Sequence, residues 1–267
     1  MIDLTIFTVA TGRYLDFWIQ LVNSGEEFIG HSVRAHWLVL TDQAEKIPTE
    51  IVNKLGPRLS VTPISHEPWP YPTLKRYEYL LFAKDKIAGN YIMHLDADMV
   101  FVDFVNEIDI TKPLMESEIA CVSHPGFFRP RGLERVKFYG KNPRKFIQDM
   151  KLFLKFGGIG TWELSASSTA FVPRALRHDY VCGGCWFGTK NGVLEMAESL
   201  RRNIKLDLRS DFIANFHDES HLNAFIVDKK IKILTPEFCF DPGYPQLKDI
   251  SPKILAIDKN ATSDWVR

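Results

Sequence analysis

The stretch Tyr91-Ile92-Met93-His94-Leu95-Asp96-Ala97-Asp98-Met99-Val100-Phe101-Val102 decides the fold. An apolar run of strand length, 91–95, passes straight into two carboxylates and then into a second apolar run, 99–102. Upstream, alternation of Ile2, Leu4 and Ile6 predicts an opening strand, followed by a small-residue loop over 9–12 without a GxGxxG phosphate pattern. His36-Trp37-Leu38-Val39-Leu40 predicts a second strand ended by Thr41-Asp42, and 59–64 a third, before a proline-punctuated loop over 63–72. Thr73 is expected to cap a helix carrying Leu74, Tyr77, Leu81 and Ala88 on one face, with Gly89 just past its end. Further helices are expected over 192–203 and 218–227, and a strand over 231–234. Strands alternating with helical patterns indicate an α/β layer with parallel pairing. In such sheets ligands gather at the carboxyl ends of strands, where Asp96 and Asp98 stand.

Composition narrows the function classes. The chain has 267 residues, 45% apolar and 25% charged, enough to bury a core without disulfides or obligate assembly. Its 33 basic and 33 acidic residues leave no formal net charge, which argues against a nucleic-acid binder. The sequence shows no basic leader region and no apolar run of membrane-spanning length, so a cytoplasmic protein is expected. Cys121, Cys182, Cys185 and Cys239 read as reduced thiols. Cys182-Gly-Gly-Cys185 is expected to be packing beside a Gly-Gly turn, because no second close Cys/His pair follows it.

Charge is uneven along the chain. Between 129 and 155, Arg129, Arg131, Arg135, Lys137, Lys141, Arg144, Lys145, Lys151 and Lys155 face only Glu134 and Asp149, about +7. Phe146, Ile147, Met150, Phe153 and Leu154 recur there at helical spacing. The expectation is a helix docked on its own domain with solvated cations. The sharper alternative is peripheral contact with an anionic surface, such as the inner face of a membrane or a lipid-linked glycan.

Two clusters can carry chemistry. Carboxylates two residues apart at a strand end can converge on one hard cation that keeps positions open for phosphate oxygens. In Phe216-His217-Asp218-Glu219-Ser220-His221, Asp218 could cap the following helix. A cap needs one acceptor, so Glu219 and two imidazoles remain to be explained.

These pieces, with Leu38-Val39-Leu40-Thr41-Asp42-Gln43, Leu74-Lys75-Arg76, His124-Pro125-Gly126-Phe127-Phe128, Ser168-Thr169-Ala170-Phe171-Val172-Pro173, Tyr180-Val181-Cys182-Gly183-Gly184, His217-Asp218-Glu219-Ser220-His221-Leu222-Asn223 and Leu234-Thr235-Pro236-Glu237, resemble glycosyltransferase family 6. That family comprises retaining α1,3-galactosyl- and N-acetylgalactosaminyltransferases, including the histo-blood-group enzymes. The resemblance implies one GT-A domain over 1–267, with a Rossmann-like nucleotide-sugar-binding α/β fold, a UDP-sugar donor, a galactose-containing glycan acceptor and manganese. It implies that Asp96 and Asp98 hold the metal on the diphosphate and that Glu219 is the catalytic carboxylate, also near the acceptor. Donor contacts are carried over to Phe7, Val9, Tyr14, Arg76, Asp96, Asp98, Cys182, Gly183, Gly184, Asp218 and Lys259, and acceptor contacts to His124, Phe216 and Glu219. Cys182 and Gly184 match the pair that selects the donor. Glycine there favours UDP-GalNAc over UDP-Gal, with Gly184→Ala expected to shift the preference toward UDP-Gal by about 1–3 kcal/mol.

The chain also departs from the family pattern. Phe216 stands where the family has Trp, 129–161 is an insertion, and a tail at about 255–267 is expected to close on the donor through Lys259. Together these imply a soluble form of bacterial or phage type. A catalytically silent glycan- or UDP-sugar-binding module is the main alternative, and a glycogenin-like retaining transferase the other.

Overall fold

The computed structural model describes residues 1–257. The first half alternates strand and helix: β1 (Ile2–Val9), α1 (Tyr14–Phe28), β2 (Val33–Thr41), α2 (Thr49–Leu55), β3 (Leu59–Pro63), α3 (Tyr71–Leu74), α4 (Arg76–Phe82) and β4 (Tyr91–Leu95). Then follow β5 (Met99–Phe101), α5 (Glu107–Thr111), β6 (Ile119–Ser123), α6 (Leu133–Lys141), α7 (Pro143–Phe156) and β7 (Val181–Thr189). The chain continues through α8 (Lys190–Arg209), α9 (His217–Ile226), β8 (Lys232–Leu234) and β9 (Ile254–Ala256).

The main sheet has the order β3-β2-β1-β4-β7-β6-β8, with β5 and β9 forming a separate antiparallel pair. β3, β2, β1 and β4 are mutually parallel, β7 runs antiparallel to both β4 and β6, and β8 is parallel to β6. Apolar side chains fill both faces. Leu4, Ile6, Trp37, Val39, Met93 and Phe187 meet α1 and α2 on one face. Phe7, Leu38, Leu40, Ile92 and Trp186 meet α4, α8 and α9 on the other. Strands buried on both faces require continuous apolar runs, which is how 91–95 reads. This doubly covered, mostly parallel sheet is the GT-A arrangement.

The topology gathers one edge. The carboxyl ends of β1, β2, β4 and β6 point the same way, and the amino end of antiparallel β7 joins them, since Leu95 pairs with Cys185. Asp42, Asp96, His124 and Gly183 therefore share one edge of the sheet.

Three expectations need correction. Thr73 is not a cap: its hydroxyl donates to the Pro70 carbonyl at 2.9 Å, and the helix begins at Tyr71 and breaks at Lys75. Cys182 and Cys185 lie within β7, not beside a turn, and all four cysteines are buried free thiols. The basic stretch is two helices, and the apolar side chains expected to dock do not. Phe146, Ile147, Met150, Phe153 and Leu154 are all exposed, while α7 turns Asp149 and Phe156 inward. The inward position goes to Asp149 because Arg129 forms a fork on it, Nε to Oδ2 at 2.5 Å and Nη2 to Oδ1 at 2.6 Å.

Gly25 allows α1 to approach the sheet. A Cβ built there would lie 2.5 Å from the indole of Trp37, which is fully buried, and 3.2 Å from Phe101. Replacing a helical glycine by alanine ordinarily stabilises by about 1 kcal/mol. Here overpacking against a ring that cannot move should outweigh that gain, giving a net loss of about 1–2 kcal/mol for Gly25→Ala in chemical denaturation. An unchanged or raised midpoint would contradict the packing described.

Candidate functional site

The guanidinium of Arg76, at the start of α4, lies at the centre of this edge and is 4% exposed. Its Nη1 donates to His94 Nε2 at 2.6 Å and to the Gly183 carbonyl at 2.7 Å. Nη2 is 3.1 Å from Asp96 Oδ1, and Nε is 3.0 Å from Asp218 Oδ2 while donating to the Thr73 carbonyl. Burial alone would lower its pKa, but the carboxylates of Asp218 and Asp96 outweigh that and raise it. A buried charge persists only when paired in this way.

His94 supports the arrangement as a neutral ring. Burial and the adjacent Arg76 push it down to about 4, its Nδ1–H donates to the Phe7 carbonyl at 3.1 Å, and Nε2 is left to accept from Arg76. Asp96 follows immediately, its N–H donating to the Gly184 carbonyl at 2.9 Å and its side chain partly exposed. Asp98 is buried, and its carbonyl accepts from the N–H of Ile257, which follows β9.

Opposite these stands the first turn of α9. His217 adopts φ of +47°, a left-handed conformation uncommon outside glycine, immediately before the two acids. Asp218 and Glu219 are thereby directed at Gly183: a Cβ there would meet Asp218 Oδ2 at 3.1 Å and Glu219 Cβ at 3.3 Å. Glu219 Oε2 accepts from the Gly183 N–H at 2.9 Å, and its carboxyl shares a hydrogen bond with the Tyr180 hydroxyl. Burial drives Glu219 up to about 7 against those hydrogen bonds and Arg76, and burial likewise drives Asp218 up to about 7. Among the described residues Asp218 Oδ2 accepts no hydrogen bond, although the guanidinium is close. Asp218 is not a helix cap as expected, because that position is Phe216, which has no capping side chain.

The other site residues divide by accessibility. Val9 ends β1 and Tyr14 opens α1, both half-buried, beside the 9–12 loop whose Gly12 N–H donates to Asp42 at 2.8 Å. Phe7 is enclosed in the core, leaving only its backbone at the edge. Cys182 is enclosed too, among Cys185 and Cys239. Gly184 does not face open space: a Cβ there would lie 2.8 Å from Asp96 Oδ2 and 3.0 Å from Met99. His124 follows β6, with Nδ1 accepting from the Gly126 N–H at 3.0 Å and burial lowering it to about 4, so its proton is on Nε2. Phe216 is exposed. Lys259 lies outside the described residues.

Sequence reasoning passed over two positioning groups. Tyr180 joins His124, Phe127 and Trp162 in one ring cluster and reaches Glu219. Asn223 clamps α9 to β7, accepting from the Val181 N–H and donating to the Val181 and Glu219 carbonyls, each at 2.9 Å. An Asn one helical turn after Glu219 was the only signal for the second.

A crevice lined by carboxylates thus lies at the carboxyl ends of a doubly covered parallel sheet, where α/β folds take their ligands. The family model Glycosyltransferase family 6 matches residues 157–267. Human globoside alpha-1,3-N-acetylgalactosaminyltransferase 1 is 28% identical over 92% of the chain, and rat histo-blood group ABO system transferase 1 is 26% identical over 97%. The chain spans 62% of the first of these relatives and 67% of the second. The Escherichia coli O-antigen biosynthesis glycosyltransferase WbnI is 25% identical, with 97% of the chain matching 96% of it. The chain is thus similar to glycosyltransferase family 6 in its C-terminal part and to these transferases over most of its length.

The raised carboxyl groups have a consequence for stability. Glu219 titrates near 4.5 when unfolded and about 7 when folded, so its contribution is present below the lower value and lost as pH rises through the upper one. In metal-free buffer, Glu219→Gln should gain stability relative to the parent as pH rises from roughly 5 to 8, by on the order of a few kcal/mol. A parent-to-variant difference that is flat across that range would show the carboxyl is not shifted.

Proposed function

We propose that the chain is a retaining, metal-dependent α1,3-glycosyltransferase that moves GalNAc or Gal from a UDP-sugar to a galactoside acceptor. The observation that carries this is Glu219, buried on the wall of the crevice with a single backbone donor and Tyr180, where neither capping nor packing accounts for a carboxylate.

The residues fit a divalent cation. Asp96 and Asp218 flank the Arg76 guanidinium, Glu219 meets Gly183 beside them, and Asp98 follows Asp96 by two residues, a set of hard oxygen donors. Among the described residues no three His, Cys, Asp or Glu side chains converge, so Asp96 and Asp98 would supply only part of the coordination shell. A hard cation in such a site is completed by water and phosphate oxygens. When bound, it neutralises charge developing on the leaving diphosphate.

The chain's own groups supply the rest. Arg76 holds Asp96 and Asp218 at fixed separation across the crevice. Asp218, paired with Arg76 through Oδ2, would meet a sugar hydroxyl from the same wall. Glu219, deprotonated in part near neutral pH, stabilises positive charge at the sugar's reacting carbon or attacks it, and both routes retain configuration. His124, with its proton on Nε2, would donate to an acceptor oxygen. The hydrogen bond from the Ile257 N–H to the Asp98 backbone carbonyl brings the end of the described chain beside the second of the two acids.

Manganese-stimulated transfer, assayed with UDP-GalNAc and UDP-Gal on a small galactoside, tests the proposal. Asp98→Asn should reduce the manganese response by roughly 10- to 100-fold, and Glu219→Gln should lower kcat about 100-fold or more while UDP binding persists. Full activity in chelator would overturn the metal assignment, and near-normal turnover of Glu219→Gln the catalytic one.

Gly184→Ala supplies a separate check. Its new methyl group would press on Asp96, so we expect a raised manganese requirement with both donors, not the simple switch toward UDP-Gal that glycine's small size suggests. A switch of donor with an unchanged manganese requirement would contradict this.

A further inference from the structure

We propose that α6 and α7 form a docking surface for an anionic lipid bilayer. α7 has three faces. Asp149, Leu152 and Phe156 turn inward, where Asp149 meets Arg129 and also accepts from Tyr139 at 2.8 Å. Phe146, Ile147, Met150, Phe153 and Leu154 follow the spacing i, i+1, i+4, i+7, i+8 and share a second face, 44–68% exposed. Arg144, Lys151 and Lys155 border it as exposed cations. α6 extends the patch with Leu133 and Val136, exposed among Arg131, Arg135, Lys137 and Lys141.

The helix is held in this orientation from behind. Its C-terminal carbonyls at Leu154 and Phe156 accept from Arg174 and Arg177. The apolar stripe is therefore presented outward by fixed contacts. The buried Arg129–Asp149 pair removes one charge of each sign, so the whole +7 of the stretch is carried at the surface.

An exposed apolar patch of this extent requires an occupant. A dissolved polyanion would use the cations and leave five large apolar side chains in water. A second copy placed symmetrically on the patch would set +7 against +7. An anionic bilayer satisfies both halves at once: the apolar stripe enters the headgroup boundary while the cations meet lipid phosphates.

The patch also leads inward. Phe146, Met150 and Phe153 line a cavity of about 430 Å³ that Tyr180, the partner of Glu219, also lines. Bilayer docking would open this cavity toward the lipid, favouring a membrane-anchored glycan as acceptor. This last clause rests on the glycosyl-transfer proposal; the docking itself does not.

Co-sedimentation of the full chain with phosphatidylcholine vesicles, with and without phosphatidylglycerol, tests it. Binding should require the anionic lipid and weaken with salt. The combined Arg144→Gln, Lys151→Gln and Lys155→Gln variant should bind roughly 100-fold more weakly, about fivefold per cation. Phe146→Ser with Phe153→Ser should also lose binding, with circular dichroism confirming the fold. Transfer to a soluble galactoside should be unchanged in the cation variant, while transfer to a glycolipid in anionic vesicles falls. Absence of anionic-lipid binding at low salt would overturn the proposal. So would a concentration-dependent dimer abolished by the Phe variants, which would assign the patch to a second copy. Vesicle binding by a protein inactive on every galactoside would refute the transferase reading and leave the docking surface standing.

Discussion

The guanidinium of Arg76 is the constraint on which the crevice depends. Being buried, it must be paired, and its partners come from three separate elements: His94 and Asp96 from the end of β4, Gly183 from β7, and Asp218 from α9. Ion pairs of this kind contribute little net stability, because desolvation offsets the attraction. Their effect is geometric. Strands that pair only through backbone hydrogen bonds could slide or splay at their ends, but with Arg76 in place the ends of β4 and β7 and the first turn of α9 are held in one arrangement.

The same charge explains the state of the acids. One guanidinium cannot hold Asp96, Asp218 and Glu219 fully ionised in a buried setting, and burial shifts Asp218 and Glu219 up to about 7. Asp96, being partly exposed, is relieved by water in a way those two are not. The crevice thus combines acids poised near neutrality on one wall with a more hydrated carboxylate on the other. In the proposed reaction the first wall would meet sugar hydroxyls and the second a cation, and the division follows from exposure.

Much of this was readable in the linear chain. The strand-to-acid step at 91–98 is local, since apolar runs buried on both faces and acids at a strand end are both short-range features, and β4 occupies the expected residues. Arg76 was singled out only by resemblance. Its bridging role depends on Gly183 and Asp218, more than a hundred residues away, and no periodicity encodes that meeting. Tyr180 and Asn223 were missed for the same reason. Thr73 misled because the prolines around it let the helix start three residues earlier, which turned a capping residue into one that bonds back to Pro70. Cys182 and Gly184 misled differently: their sizes were read correctly, but what each meets is set by tertiary packing, the core for Cys182 and Asp96 for Gly184.

The basic stretch shows a limit of a more general kind. Helical periodicity tells which apolar side chains share a face, not whether that face meets protein or solvent. In α7 the apolar face and the inward face are adjacent but distinct, and the inward one contains an aspartate. A carboxylate is a poor choice for simple docking, which any apolar residue would achieve at lower desolvation cost. It is a good choice for fixing rotation, because a two-pronged pair between Arg129 and Asp149 tolerates little turning of the helix about its axis. Turning α7 inward would bury the five apolar side chains but strip Arg129 of its partner, leaving an uncompensated buried cation. The outward apolar face is therefore locked by the same physical rule that organises the crevice around Arg76: a buried guanidinium dictates which neighbouring elements must face it, and the remaining surfaces are set by what is left over.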